Sequence, residues 1–130
     1  MVVYDSSVLI GYLNGDSRAA EYVETHADQQ AVAPPLVLFE VYRGEIFKSG
    51  EPEFDAVDAA LQWVDIIDEG RTQARIAAEA ESELQQRGMP LSARDAYIAG
   101  TAKRLDQPLA VADSDFDVDG IEEVLSIDML

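Results

Sequence analysis

Val2-Val3-Tyr4-Asp5-Ser6-Ser7-Val8-Leu9-Ile10 sets a short β-branched and aromatic run against an aspartate and then against apolar residues at helical spacing. Val2 to Tyr4 reads as a buried strand. Ser6 is placed to cap the helix that carries Val8, Leu9, Ile10 and Leu13 and ends near Asn14-Gly15. A strand that hands over to a helix at a carboxylate is the start of an α/β arrangement, and the rest of the chain repeats the step.

A second helix is expected from about Asp16 to His26, then a brief strand from Gln30 to Ala33 with Val32 as its only large apolar residue. Pro34-Pro35 opens a helix from Leu36 to about Lys48, since proline is tolerated in a first turn, and Ser49-Gly50-Glu51-Pro52 breaks it. Phe54, Val57, Ala60-Leu61 and Val64 recur at helical spacing. Val64 to Ile67 is the next strand, with Ile66 and Ile67 as its core. A long helix from about Arg71 to Gln86 closes at Gly88, a natural C-cap. Ser92 caps a helix bearing Ala96, Ile98, Ala99, Ala102 and Leu105; Pro108 to Ala112 forms a small apolar strand ending at Asp113, and Val124 to Ile127 is the last strand. Strands alternating with helices imply a mostly parallel sheet covered on both faces, a single domain over 1–130. Trp63, Phe54 and Met89 read as packing residues, and Glu79, Glu81 and Glu83 as a solvated helix face.

Composition narrows the chemistry. The 130 residues are 48% hydrophobic, enough for a core, and contain no cysteine, which removes disulfides, thiolate zinc sites and a cysteine nucleophile. His26 is the only histidine, expected on a surface helix, so serine triads and histidine-rich zinc sites are set aside. No GxxxxGK[ST] or GxGxxG run cradles a nucleotide phosphate. The N-terminus lacks the features of a secretion signal and no apolar run reaches the ~20 residues of a membrane helix, so the expectation is a cytoplasmic protein without membrane contact. The 26 acidic residues outnumber nine basic ones, of which only Lys48 and Lys103 are lysines, for a net charge of -17. So dense a carboxylate surface suits a salt-adapted (halophilic) cytosol, where its self-repulsion is screened. Most acids in such a chain are solvated surface, and each candidate needs a positional reason.

Four have one. Ligands of open α/β sheets sit beyond the carboxyl ends of the strands, where Asp5 and Asp113 fall. Either could instead cap the following helix; the pair, on strands expected to be neighbours, favours function. Glu40 is flanked by Val37, Leu38, Phe39, Val41 and Tyr42, so burying it requires a partner, unless its face is solvated. Asp95 lies in a helix first turn, where the helix dipole alone favours a carboxylate. Arg94 beside it is an ion-pair partner or a phosphate contact. Carboxylates converging on one cleft repel one another, and Mg2+ or Mn2+ resolves that repulsion and supports phosphodiester hydrolysis.

Four segments, taken in order, resemble the PIN-domain nucleases, in particular the compact VapC-type toxins of toxin–antitoxin pairs. Val2 to Ile10 is similar to the family's opening strand and aspartate. Leu38-Phe39-Glu40-Val41-Tyr42-Arg43-Gly44 resembles its internal glutamate followed four residues later by glycine. Arg94-Asp95-Ala96-Tyr97-Ile98-Ala99-Gly100-Thr101-Ala102 resembles its third acidic motif, and Ala110-Val111-Ala112-Asp113-Ser114-Asp115-Phe116 its closing Asp-x-Asp-Phe motif. The resemblance covers nearly the whole chain. It implies a three-layer α/β/α sandwich and a Mg2+- or Mn2+-dependent endoribonuclease. Asp5, Glu40, Asp95 and Asp113 would be the catalytic metal ligands and Asp115 an accessory one. It also implies an RNA substrate, a homodimer and a cognate antitoxin. Arg94, Ser6 and Ser114, beside these acids, are the candidate substrate contacts. Ser7 departs from the Asn usual after the first aspartate, Val111 from a usual Thr or Ser, and no basic rim is present. Two other readings share these residues: a PIN nuclease of RNA processing, and a catalytically silent PIN-like binding module. A signalling receiver domain fits poorly, because Asp5 has no adjacent acidic partner and Lys103 falls inside a helix.

Overall fold

The computed structural model describes residues 1–68 and 70–130. Strand β1 (Val2–Tyr4) is followed by helices α1 (Ser6–Leu13) and α2 (Ser17–Thr25), then strand β2 (Ala31–Ala33). Helices α3 (Pro35–Ile46) and α4 (Phe54–Ala60) lead to β3 (Val64–Ile66). Helices α5 (Arg71–Gln86) and α6 (Ala93–Leu105) lead to β4 (Leu109–Val111). Two 3-10 turns, Ser114–Phe116 and Ile121–Glu123, precede β5 (Ile127–Met129).

The five strands lie in the order β3-β2-β1-β4-β5, and every pairing is parallel. A parallel sheet needs crossover connections, and such connections are right-handed as a rule. Strand order first runs outward from β1 to β3, which puts α1 to α4 on one face. It then reverses, which puts α5 and α6 on the other. The helix contacts follow this division: α1 packs on α2 and α3, and α5 on α6. The result is the three-layer α/β/α sandwich expected. Covered on both faces, the central strands are apolar apart from the Tyr4 hydroxyl, and Val2, Val3, Val32, Ala33, Leu109, Ala110 and Val111 are all buried.

The reversal of strand order occurs between β1 and β4. Tyr4 is in register with Ala110, and the Asp5 amide donates to the Ala110 carbonyl at 3.0 Å. The crevice of a doubly wound sheet opens at this switch point, and Asp5 and Asp113 flank it.

On the far face, α5 and α6 approach closely because Gly100 lies against Ala77: a Cβ on Gly100 would meet the Ala77 Cα at 2.6 Å. Between these helices the buried Gln73 amide donates to Thr101 Oγ1 at 2.9 Å and accepts from Arg104 Nε at 2.6 Å. Gly88, with φ of 73°, ends α5: its amide donates to Gln85 and that of Met89 to Leu84, closing a Schellman turn.

Several expectations change. Asp5, not Ser6, caps α1, because its carboxylate accepts from the Ser7 amide while Ser6 is the first helical residue. The last strand is Ile127–Met129; Val124 and Leu125 belong to the turn before it, and Leu125 packs into the core from there. Ile66 is 39% exposed, because β3 is an edge strand, and Val64 is its buried residue. Phe54 is 42% exposed and rests edge-on against Tyr42, whereas Trp63 is half-buried between Tyr4 and Tyr12. His26 is half-buried rather than an ordinary exposed residue: its ring stacks on Tyr22 and its Nδ1 lies 2.8 Å from the Tyr22 carbonyl. The acidic face of α5 is not simply solvated. Glu83 is ion-paired with Lys103 at 2.5 Å and with Arg87 at 3.4 Å, which staples α5 to α6 and holds its carboxyl below the usual range. Among the described residues no helix is long and apolar enough to cross a membrane.

Candidate functional site

The site forms where β1 ends. Asp5 is 2% exposed, and its Oδ2 accepts from the Ser7 hydroxyl at 2.6 Å and the Ser7 amide at 3.2 Å. The same Ser7 hydroxyl accepts from the Ala112 amide at 3.0 Å, so one side chain ties the end of β4 to the Asp5 carboxylate. Ser7 therefore supplies the orienting bond that its departure from the usual Asn put in question. The signal for it was position: the second residue after an N-cap faces the capping carboxylate.

Glu40 reaches the site from α3. The apolar stretch around it leaves its side chain only 9% exposed, facing the Arg94 guanidinium. Asp95 comes from the first turn of α6, where Ser92 Oγ accepts from the Asp95 amide at 3.2 Å. Asp95 is 2% exposed, and its Oδ1 lies 3.4 Å from Arg94 Nη2. Arg94 thus bridges Glu40 and Asp95, a pairing across two helices that the sequence anticipated only for Asp95.

These groups sense one another. Burial raises the Asp5 carboxyl above its ordinary range; the Ser7 hydrogen bonds work against the shift, and Asp95 adds to it. Burial likewise raises Glu40, opposed by Arg94 and the Ser6 hydroxyl and reinforced by Asp5 and Asp95. For Arg94 burial acts to lower the pKa, but Glu40, Asp95 and Asp5 together hold it above its ordinary value.

Asp113 and its neighbours stand apart. Asp113 is half-buried beyond β4, and its Oδ1 accepts from the Asp115 amide at 2.9 Å, capping the 3-10 turn. Asp115 and Ser114 are exposed on that turn, and Ser6 is buried at the start of α1. The fold therefore gathers Asp5, Glu40, Asp95 and Arg94, with Asp113 on the adjoining strand end. Among the described residues no three acids or histidines are yet drawn together tightly enough to form a finished metal cage. What the cluster does have is an unanswered acceptor: Asp5 Oδ1 is buried without a hydrogen bond, beside a Glu40 carboxylate whose only partners are the Arg94 guanidinium and the Ser6 hydroxyl. Hard carboxylate oxygens grouped at a crevice, one of them undonated, are the donor type that Mg2+ or Mn2+ takes, so these residues fit a divalent cation.

The family model for the PIN domain matches residues 2–120. This chain belongs to the PIN-domain family. Its fold is similar to that of VapBC2 from Rickettsia felis bound to a DNA fragment from its promoter, with a TM-score of 0.76 at 17% identity over 99% of this chain and 98% of that one. FitAcB from Neisseria gonorrhoeae gives 0.75 at 18% identity over 98% and 96% of the two chains. A toxin–antitoxin complex from Klebsiella pneumoniae gives 0.73 at 24% identity over 97% of each. No curated protein matches the chain in sequence. In this PIN domain the switch-point crevice is the carboxylate cluster.

Proposed function

We propose that the chain acts as a single PIN-like domain over 1–130, the toxin of a VapBC-type toxin–antitoxin pair, and that it is a Mg2+- or Mn2+-dependent endoribonuclease. The observation that carries the reading is the buried Asp5 carboxylate, with Oδ1 undonated, grouped with buried Glu40 and Asp95 at the switch point of the sheet. The toxin–antitoxin complexes among its structural neighbours support the toxin role and a cognate antitoxin partner.

Asp5, Glu40, Asp95 and Asp113 would hold the cation, with Asp115 as an accessory carboxylate. When bound, the cation supplies Lewis-acid polarisation and makes water available as a nucleophile near neutral pH. The chain's own residues do the positioning. Ser7 fixes the rotamer of Asp5, α3 holds the Glu40 side chain largely out of solvent, and the Ser92 cap fixes the first turn that carries Asp95. Arg94, Ser6 and Ser114 would be the contacts to the phosphodiester, Arg94 answering its negative charge. Hydrolysis joins a water oxygen to phosphorus as the bond to the leaving ribose oxygen breaks. With few basic residues to attract the RNA backbone, binding rests on these local contacts more than on counterion release. A homodimer in a salt-rich cytoplasm completes the reading.

The test is cleavage of a structured cellular RNA pool by the purified full chain at high salt. Cleavage that requires Mg2+ or Mn2+, stops with chelator and is abolished in folded Asp5→Asn and Asp95→Asn is the expected result. Full metal-dependent activity in either variant would overturn the site. A wild type that never cleaves RNA with metal would leave the binding-module reading in its place.

A further inference from the structure

We propose that Arg94 is a built-in counter-cation: in the metal-free chain its guanidinium bridges Glu40 and Asp95, and it must swing outward before a divalent cation can join the cluster. The inference rests on the metal reading of the preceding section.

Three features carry it. First, the bridge spans elements. Arg94 Nη1 meets Glu40 of α3, and Nη2 meets Asp95 of its own helix at 3.4 Å, so one planar group answers two carboxylates. Among the described residues no other cation pairs with either acid. Second, the match is incomplete. A single positive charge faces the Asp5, Glu40 and Asp95 carboxylates, and Asp5 Oδ1 remains without a hydrogen bond. A guanidinium that satisfied both carboxylates would make aligned, bidentate bonds. Third, the exit is open. The Arg94 side chain is 48% exposed while Glu40 and Asp95 are 9% and 3% exposed, so side-chain rotation alone offers the guanidinium a path into solvent.

The cluster thus carries its own competitor. While Arg94 is seated, it neutralises part of the charge that would otherwise recruit a cation, so it lowers metal affinity and stabilises the empty fold. Once displaced, the guanidinium stays at the rim, where an incoming phosphodiester can take it. The alternative role, in which Arg94 holds Glu40 and Asp95 in place for the metal, predicts the opposite change in affinity.

Mn2+ binding to the full chain, followed by the electron paramagnetic resonance signal of free Mn2+, separates the two. Arg94→Gln, which removes a positive charge from beside the cation site, should bind Mn2+ about tenfold more tightly than wild type. In chelator its melting temperature should fall below that of wild type, and Mn2+ should restore it. Arg94→Lys, whose ammonium can answer only one carboxylate at a time, should shift both readings in the same direction by less, and it serves if Arg94→Gln does not fold. Equal or weaker Mn2+ binding by the folded variants, with Asp5-dependent binding by wild type, would overturn the counter-cation and leave the metal site standing. No Mn2+ binding by wild type or by either variant would remove the metal site, and the counter-cation with it.

Discussion

Ser7 Oγ lies 2.6 Å from Asp5 Oδ2, and by fixing that oxygen it leaves Oδ1 of the same carboxylate aimed into the site without a donor. The hydroxyl also accepts from the Ala112 amide, so the carboxylate is referenced to β4 as well as to its own helix. Removing such an orienting group from beside a metal ligand typically costs 10- to 100-fold in activity or metal affinity. Ser7→Ala should therefore lower RNA cleavage about 10- to 100-fold. It should cost only about 1 kcal/mol of stability in chemical denaturation, because water can replace the bond to exposed Ala112. Ser7→Asn, which offers both a donor and an acceptor, should retain most of the activity. Unaltered cleavage by Ser7→Ala would show that Asp5 needs no such reference.

The raised carboxyls make the metal-free protein sensitive to pH, and the sign follows from the shifts. Asp5 and Glu40 both sit above their ordinary values, chiefly through burial. A carboxyl raised in the folded state binds its proton more tightly there than in the unfolded chain. Its stabilising contribution is complete below the unfolded value of about 4 and is lost as pH rises through the raised folded value. In chelator, stability should fall as the pH is taken from mildly acidic toward neutral. Asp5→Asn keeps the helix cap, since Asn caps as well as Asp, but carries no charge. It should match wild type at acidic pH and exceed it by roughly 1–2 kcal/mol at neutral pH. Parallel pH profiles for the two proteins would show that Asp5 is not the source of the dependence.

These groups were legible in the sequence to different degrees, for physical reasons. Asp5 and Asp113 could be selected because a carboxylate closing a buried apolar run has few explanations, and strand ends are where parallel sheets bind. Glu40 was legible as an energetic anomaly in an apolar helix. The bridge by Arg94 was not, because it joins α3 to α6 and depends on which helix faces align across the switch point. The misplacement of β5 has a local cause: Val124 and Leu125 are apolar because they bury a turn, and periodicity cannot distinguish that from a strand. Ile66 was misassigned because an edge position, set by the strand order, overrides its hydrophobicity.

Gly100 connects the packing of the far layer to the site. A Cβ at this position would meet the Ala77 Cα at 2.6 Å and the Ala77 Cβ at 2.9 Å, and backbone contacts of that kind cannot be relieved by a rotamer change. Gly100→Ala must push α6 away from α5, and α6 carries both Arg94 and Asp95. The expected cost is about 1–3 kcal/mol in denaturant unfolding, with a loss of metal-dependent cleavage beyond what partial unfolding explains. Ala77→Gly in the same chain removes only the 2.9 Å contact and leaves the Cα clash, so it should not restore either. A Gly100→Ala protein as stable and active as wild type would mean that the two helices are not in the contact described.

The surface charge yields a final prediction, about salt. With 26 acidic and nine basic residues the folded chain repels itself, and the Debye length falls from about 10 Å at 0.1 M ionic strength to about 3 Å at 1 M. Screening should relieve this repulsion more in the compact state than in the expanded unfolded one, so KCl raised from 0.1 to about 1 M should increase the melting temperature. Ion pairs such as Lys103–Glu83 and Arg87–Glu123 weaken under the same screening, but these are partly exposed contacts worth little individually. The net effect should therefore be stabilising. Most of the gain should come at salt concentrations where screening, rather than salting-out, dominates, so KCl and NaCl should give similar curves. A melting temperature that stays flat or falls over this range would mean that local ion pairs outweigh the global repulsion, and that the acidic surface is not an adaptation to salt.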